Sequence, residues 1–299
     1  MLDHESTGSL DRREFLSAAL GAAEAAALGG ASAAPLVAAP AGLVDVNVNL
    51  SRWPLRRLRG DDTSALADML RRKGVVQAWA GSFDSLLHRD LAAVNAELAD
   101  ECRLRGHGLL VPMGSVNPKL PDWEEDLRRC AEVHRMPGIR LHPAYHGYKL
   151  DDPDFARLLR LAAGRGLVVQ IVLAMEDERA MHPLLRVQPV SVAPLAQVVS
   201  RTPGVCLVLL NWPLVLNGRP LVELVGAGDV YVEIAMLEGA GCVADLVATV
   251  PESRVLFGSF APLFYFESAL LKLRESPLSD GQLRAIGSEN ARRLLAENR

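Results

Sequence analysis

The sequence predicts a single (β/α)8 barrel, an α/β fold, over residues 43–299, with an extra helix at its carboxyl end. From residue 43 onward, eight short β-branched apolar runs alternate with amphipathic segments of about 10–15 residues. The runs are continuous rather than alternating, which is typical of parallel strands covered on both faces by helices. Eight such units in one chain most economically close into a barrel. The alternative, a doubly wound open sheet, normally carries a glycine-rich phosphate loop after its first strand, and SRWPLRRL at 51–58 is not such a loop.

The elements follow one another in a regular rhythm. The predicted strands are 43–50, 75–80, 109–116, 138–141, 167–173, 205–210, 230–234 and 254–257. The predicted helices are 63–72, 89–103, 122–134, 154–165, 192–200, 220–225, 240–250, 265–274 and the final 279–295. Asp152-Pro153 places proline in a first turn, and Asp122 with Glu125 three residues later resembles a capping box. No linker composition interrupts 43–299, so one domain is predicted.

The amino-terminal segment predicts export. Arg12-Arg13 and Phe15-Leu16 precede an Ala/Gly/Leu-rich run, which ends near a small-residue site at residues 31–33. This pattern is typical of a twin-arginine signal, which we assign to residues 1–33, with a linker at 34–42. The protein would then be periplasmic or extracellular. The alternative is an Ala-rich helix or tail outside the fold of a cytoplasmic protein.

Composition narrows the set of partners. The net charge is −4, with no clustered basic face, so nucleic acid is not expected as a partner. The four cysteines lie far apart without a CxxC pair, which argues against a zinc knuckle. The apolar run near the amino terminus is too short for a comfortable membrane span and contains Glu24, so no span is expected in the mature chain. A small-molecule ligand or substrate is expected. The oligomeric state is left open, a homo-oligomer included.

Candidate catalytic residues follow from the barrel rule that sites lie at the carboxyl ends of the strands. The densest polar cluster is formed by GIRLHPAYHGY (138–148) and MEDERAMHP (175–183). In it, His142, His146 and Glu176 could ligate a divalent metal or provide a general base with its orienting carboxylate. The structural alternatives are a histidine that caps backbone groups before Pro143 and an acidic run that begins a solvated helix.

Candidate substrate-binding residues occupy other predicted strand ends. Arg52, just beyond the first strand, is the candidate anion clamp, because arginine forks bind carboxylate and phosphate well. Glu233 interrupts a valine-rich strand and is expected to point into the barrel lumen, where the alternative to a site role is an ion pair with Arg140. The full set is Asn47, Asn49, Arg52, Arg140, Tyr145, Asn211 and Glu233.

Four segments together resemble the amidohydrolase-related family of metal-dependent TIM-barrel hydrolases: VDVNVNL, GIRLHP, RVLFGSFAP and IGSENARRLL, spread over nearly all of 43–299. The resemblance implies one or two divalent metals that activate water for hydrolysis. In one branch of the family it implies non-oxidative decarboxylation of aromatic acids. The family usually carries His-x-His at strand one, a histidine after strand five or six and an aspartate at strand eight.

The chain departs from that ligand pattern. Asn47 and Asn49 stand at the paired histidine positions, Phe260 at the aspartate position, and residues 172–174 are apolar. We therefore expect the usual metal site to be lost, and zinc or manganese to bind only through a relocated site of His142, His146 and Glu176. The favoured function is a hydrolase-like enzyme that acts on or binds a small organic molecule, with or without a carboxylate, at the carboxyl-end face. The alternatives are a non-catalytic ligand-binding or partner-subunit barrel, and a metal-free decarboxylase or lactonase.

Overall fold

The structure, a computed structural model, describes residues 42–298. The predicted signal segment and all but the last residue of the predicted linker lie outside the described residues. None of the described helices is long and apolar enough to cross a membrane.

Eight parallel strands form the barrel and pair in sequence order. They are β1 (Leu43–Leu50), β2 (Val75–Ser82), β3 (Leu110–Gly114), β4 (Gly138–Leu141), β5 (Val168–Val172), β6 (Cys206–Leu210), β7 (Asp229–Glu233) and β8 (Val255–Leu256). The residues at and after β8 return to β1: Val46 N donates to Phe257 O (2.9 Å), and Asn49 N donates to Ala261 O (2.9 Å). The predicted (β/α)8 barrel is thus confirmed.

Helices follow the strands along the chain. They are α1 (Thr63–Arg72), α2 (Leu91–Arg105), α3 (Trp123–Arg128), α4 (Pro143–His146), α5 (Pro153–Ala163), α6 (Leu195–Ser200), α7 (Gly218–Gly226), α8 (Cys242–Val247), α9 (Phe266–Glu275), α10 (Asp280–Arg284) and α11 (Asn290–Glu297). Asp152 caps α5 through Asp154 N, with Pro153 in the first turn, as predicted. The predicted capping box at Asp122 is wrong, because Asp122 is left-handed (φ 56°) and its side chain makes no cap bond.

The final helix differs from its prediction. Residues 279–295 form α10, a π turn at Ala285–Glu289 and α11, rather than one helix. Phe257 N donates to Ile286 O within that turn (3.0 Å), which ties β8 to it. Arg292 Nη2 also donates to Gly42 O, next to the start of β1 (3.3 Å), so α11 lies near the amino-terminal end of the barrel.

The apolar core has two parts, divided by the alternation of side chains along the strands. Leu207 and Leu209 face the helices, as do Ile171 and Leu141, and they pack with helix residues such as Leu158. Val208 and Leu210 belong to the other cluster, in the lumen. With the amino-terminal end near α11, the carboxyl ends of the strands are free to build a site. The longest irregular segment there is 173–194, between β5 and α6.

Candidate functional site

A cavity of about 250 Å³ lies at the carboxyl ends of β4 and β5. We call it the β4–β5 cavity. Its wall is largely apolar, and ten of its fifteen lining residues come from the irregular segment after β5. The lining residues are His142, Ala144, Tyr145, Val172–Asp177, Glu178, Met181, Val187–Pro189 and Leu214. Three sequence-predicted residues therefore reach one cavity: His142, Tyr145 and Glu176.

His142 is the polar group set deepest in the wall. It directly follows β4, and Pro143 begins α4 behind it. The side chain is only 2% exposed, and its Nδ1 has no hydrogen-bond partner in the part of the chain that the structure describes. Burial holds the pKa of His142 well below 6.5, and the neighbouring His146 and Arg140 lower it further. The ring is therefore neutral at neutral pH and keeps a free lone pair.

His146 does not reach the cavity. Its ring lies 5.8 Å from that of His142, centroid to centroid, and its Nε2 donates to the carbonyl oxygen of Ser85 (2.8 Å). A carbonyl can only accept, so the proton sits on Nε2. Burial lowers the pKa of His146. The geometry makes it a neutral ring that tethers α4 to the segment after β2. The catalytic role predicted for it stays a prediction.

Glu176 enters the cavity wall already paired. Its Oε1 accepts a hydrogen bond from Arg56 Nη1 (2.9 Å), and the Glu176 side chain is buried while that of Arg56 is half exposed. Tyr145 lines the same wall, and burial raises its pKa to about 12, with the charge of Glu176 adding to the shift. The phenol is thus protonated and able to donate. Arg52, the predicted anion clamp, is exposed and does not line the cavity.

Asn47, Asn211 and Glu233 form a buried network in the lumen beside the cavity. Asn47 Nδ2 donates to Asn211 Oδ1 (2.9 Å), and Asn211 Nδ2 donates to the carbonyl of Ala174, a cavity residue (2.8 Å). The backbone N–H of Asn211 donates to Glu233 Oε1 (2.7 Å), and that of Ala235 donates to Oε2. None of these three side chains lines the cavity, and their predicted role as substrate contacts stays a prediction.

Arg140 is fully buried and joins four strands. Its guanidinium donates to Asn49 Oδ1 (2.8 Å) and Val48 O (2.7 Å) on β1, to Trp79 O (3.0 Å) on β2, and to Gln170 Oε1 (2.8 Å) on β5. The ion pair expected between Arg140 and Glu233 does not form, because each group is satisfied elsewhere. Burial lowers the pKa of Arg140 to about 9, so it remains charged at neutral pH.

The glycine at position 81 makes room for that guanidinium. A Cβ there would meet Arg140 Cδ and Nη1 at 2.8 Å. The three candidate asparagines, Asn47, Asn49 and Asn211, do not line the β4–β5 cavity with His142 and Glu176. The asparagines lie in the lumen, where Asn49 faces Arg140 and Asn47 faces Asn211.

Two lumen residues were missed from the sequence. Asp45 accepts hydrogen bonds from Asn47 N (3.1 Å), Ser259 N (3.0 Å) and Ser259 Oγ (2.5 Å). Burial raises its pKa to about 7. Gln170 donates from Nε2 to Val46 O (2.7 Å) while it accepts from Arg140. Both residues could have been found from the sequence, because each is a polar residue in a largely apolar strand, and a buried polar side chain needs a hydrogen-bond partner.

The metal site that the resemblance implies does not fit these residues. Asn49 Oδ1 is occupied by Arg140, which leaves only an amide nitrogen, and a nitrogen that carries two protons is no ligand. Asn47 offers one neutral, unpartnered Oδ1, which suits hard ions better than zinc. Phe260 cannot ligate. Across residues 42–298, no group of three or more His, Cys, Asp or Glu side chains is placed to hold a metal ion, the set His142, His146 and Glu176 included.

Comparison with known proteins gives a family and a set of similar structures. The model of the amidohydrolase family matches residues 47–296. A search of curated proteins gave no match. A 2,6-dihydroxybenzoate decarboxylase from Rhizobium is similar in structure, with a TM-score of 0.67 at 13% identity, over 87% of this chain and 100% of that one.

Two further structures are similar. The dihydroxybenzoic acid decarboxylase from Polaromonas sp. JS666, with bound manganese and 2-nitroresorcinol, has a TM-score of 0.66 at 12% identity, over 87% of this chain and 98% of that one. The 5-carboxyvanillate decarboxylase from Sphingomonas paucimobilis has a TM-score of 0.64 at 13% identity, over 86% and 99%. At these identities the likeness shows the fold.

Proposed function

This chain belongs to the amidohydrolase family, and we propose that it hydrolyses a small, uncharged ester or lactone in the β4–β5 cavity without a metal ion. The observation that carries the proposal is His142, a neutral imidazole in the cavity wall whose ring nitrogens make no hydrogen bond to the described residues. A neutral imidazole can accept a proton from water as a general base without the help of a metal ion.

The charge of the wall favours an uncharged molecule. Glu176 and Asp177 lie in it, and the arginines that contact them, Arg56 and Arg179, are already paired with these carboxylates. A substrate carboxylate would find no unpaired cation among the lining residues, and it would lose its hydration in a largely apolar wall. The cavity, at about 250 Å³, is also below the usual range for ligand pockets, which restricts the molecule to about one ring or a short chain.

The proposed reaction uses two side chains. As a water oxygen attacks the ester carbonyl carbon, His142 accepts one of the water's protons, and the hydroxyl of Tyr145 donates a hydrogen bond to the carbonyl oxygen. The C–O bond then breaks, and the imidazolium returns the proton to the leaving alkoxide. The products are a carboxylic acid and an alcohol, or a hydroxy acid from a lactone.

The test is hydrolysis of small lactones and aryl esters by protein that has been dialysed against a chelator. We expect turnover without added metal, and a loss of about 10²–10⁴-fold in kcat for His142→Gln. Ala144→Trp, which fills the cavity, should abolish turnover. Arg201→Gln, at an exposed arginine that does not line the cavity, is the control. Activity that appears only with added manganese, or an unchanged rate in His142→Gln, would overturn the proposal.

A non-catalytic ligand-binding barrel is the second candidate. It is favoured by the pairing of polar groups with one another, Asn47 with Asn211 and Glu176 with Arg56, which leaves few of them for a substrate. This candidate predicts that lactones bind in calorimetry and that Ala144→Trp removes the binding. It also predicts that the bound compound is recovered unchanged after long incubation.

A further inference from the structure

A second cavity, of about 860 Å³, lies outside the site described above. It is enclosed by the segment after β1, by α1 and by the segment after β8. We call it the arginine groove. Its lining residues are Arg56–Gly60, Ala65, Leu66, Met69, Arg72 and Ala261–Glu267. Its volume falls within the usual range for small-molecule sites, about 300–1,000 Å³.

The groove carries positive charge that the described residues do not neutralise. Arg56 pairs with Glu176, and Arg57 pairs with Asp61. The one carboxylate in the lining, that of Glu267, pairs with Lys73 (2.6 Å). Two lining arginines remain, at positions 59 and 72, and neither makes an ion pair or side-chain hydrogen bond within 42–298. An anion entering the groove would therefore meet two guanidinium groups without having to break an existing pair.

An apolar and aromatic wall faces these arginines. Leu263 is buried and Phe264 is partly buried, and both belong to the lumen cluster, which holds the wall in place. Tyr265 stands at the mouth with 76% of its surface exposed. A large exposed aromatic ring beside arginines offers a stacking surface for a flat apolar body.

We propose that the arginine groove binds a small organic anion, a carboxylate with an aromatic or alkyl body. Arg59 and Arg72 bind the carboxylate, and Leu58, Phe264 and Tyr265 contact the body. The arginine forks match the two oxygens of a carboxylate, and the apolar lining adds contacts that an inorganic anion cannot make. The proposal does not depend on the reaction in the β4–β5 cavity.

One residue joins the two sites. Arg56 lines the groove and donates to Glu176, which lines the β4–β5 cavity. A compound that binds to the protein must therefore be assigned to one cavity or the other by substitution. Ala144→Trp fills the β4–β5 cavity and leaves the groove untouched, while Arg59→Gln with Arg72→Gln removes the free charge of the groove alone.

The test is calorimetric titration of the whole chain with 1-naphthoate, and with the uncharged 1-naphthalenemethanol as its match. We expect one site for 1-naphthoate, with about tenfold weaker binding of the alcohol, and affinity that falls as salt is added. The Arg59→Gln/Arg72→Gln variant should lose about tenfold or more in affinity. Tyr265→Ser should weaken binding, and Arg201→Gln and Ala144→Trp should leave it unchanged. All three arginines and Tyr265 are exposed, so these substitutions leave the fold intact.

Three outcomes would overturn the proposal. Equal affinity for 1-naphthoate and 1-naphthalenemethanol would show that the carboxylate charge does not contribute to binding. Loss of 1-naphthoate binding in Ala144→Trp, with retention in the double arginine variant, would place the compound in the β4–β5 cavity. Absence of 1-naphthoate binding, with binding to phosphatidylglycerol vesicles that the double variant loses, would make the groove a membrane-contact surface.

Discussion

Replacing Arg140 with methionine should destabilise the barrel strongly, although Arg140 lies outside the β4–β5 cavity. The guanidinium is the donor to two buried side-chain oxygens, Asn49 Oδ1 and Gln170 Oε1. A buried acceptor left without a donor costs about 1–3 kcal/mol, so the two together cost about 2–6 kcal/mol of unfolding free energy. The backbone carbonyls that Arg140 also contacts would add to this.

Urea unfolding at pH 7, followed by circular dichroism, measures the effect. The variant should keep its m value and lose stability, while Arg201→Gln should stay within about 0.5 kcal/mol of the parent chain. A double-mutant cycle with Gln170→Leu sharpens the test. Because each single substitution leaves unpaired the group that the other substitution removes, the double variant should cost at least about 1 kcal/mol less than the sum of the single variants.

A cost below about 1 kcal/mol for Arg140→Met would contradict this expectation. It would mean that the free energy regained by no longer burying a charge offsets the lost hydrogen bonds, as it does for some buried ionic groups. Additive costs of the two substitutions would also contradict it, because they would mean that the hydrogen bond between Arg140 and Gln170 contributes no stability.

Three further predictions concern the lumen and the cavity wall. Gly258→Ala should destabilise the chain by about 1–3 kcal/mol in urea unfolding, since the added Cβ would lie 2.6 Å from Glu233 Oε2. The control is Gly226→Ala, which should be neutral or stabilising because Gly226 lies in a helix with open space around it. The stability of the parent chain relative to Asp45→Asn should fall as the pH rises from about 4 to 7, by up to about 1.4 kcal/mol per pH unit, and then level off. The reason is that, over this range, the raised pKa keeps the proton on Asp45 in the folded form but not in the unfolded form. A stability difference that rises with pH would contradict the prediction. Glu176→Gln should change unfolding free energy by less than about 1 kcal/mol, because its partner Arg56 is half exposed, yet it should alter ligand affinity at the β4–β5 cavity as measured by calorimetry.

The barrel could be predicted from the sequence because each apolar strand and each amphipathic helix can be recognised from a short stretch of residues. β1, β4 and α1 begin and end at the residues that the pattern indicates. The last helix was not predicted as two helices and a π turn, although Gly287-Ser288 in the turn is a local mark of helix irregularity. That turn is held by a backbone bond to Phe257 that no local pattern encodes.

The candidate site was predictable only where one rule decides. His142, Tyr145 and Glu176 reach the cavity because they follow β4 and β5, and strand ends meet at one face. Asn47 and Asn49 follow the same rule but lie in the lumen, because the register of β1 against β2 shifts between Asp45 and Val48. Bulges of this kind re-aim side chains and leave no clear mark in a sequence. The apolar wall from 173–194 was missed because that segment has no periodicity to read.

The Arg56–Glu176 pair predicts how salt affects the rates at which a compound enters and leaves the β4–β5 cavity. It joins the segment after β1 to the segment after β5, so the wall cannot move outward until the pair separates. Salt screens a half-exposed arginine, with a Debye length of about 8 Å at 0.15 M. Added salt should therefore speed both entry and release of an uncharged compound while its equilibrium affinity stays nearly constant. Electrostatic steering, in contrast, changes the entry rate far more than the release rate. Stopped-flow measurements of both rates at two salt concentrations therefore distinguish the two mechanisms.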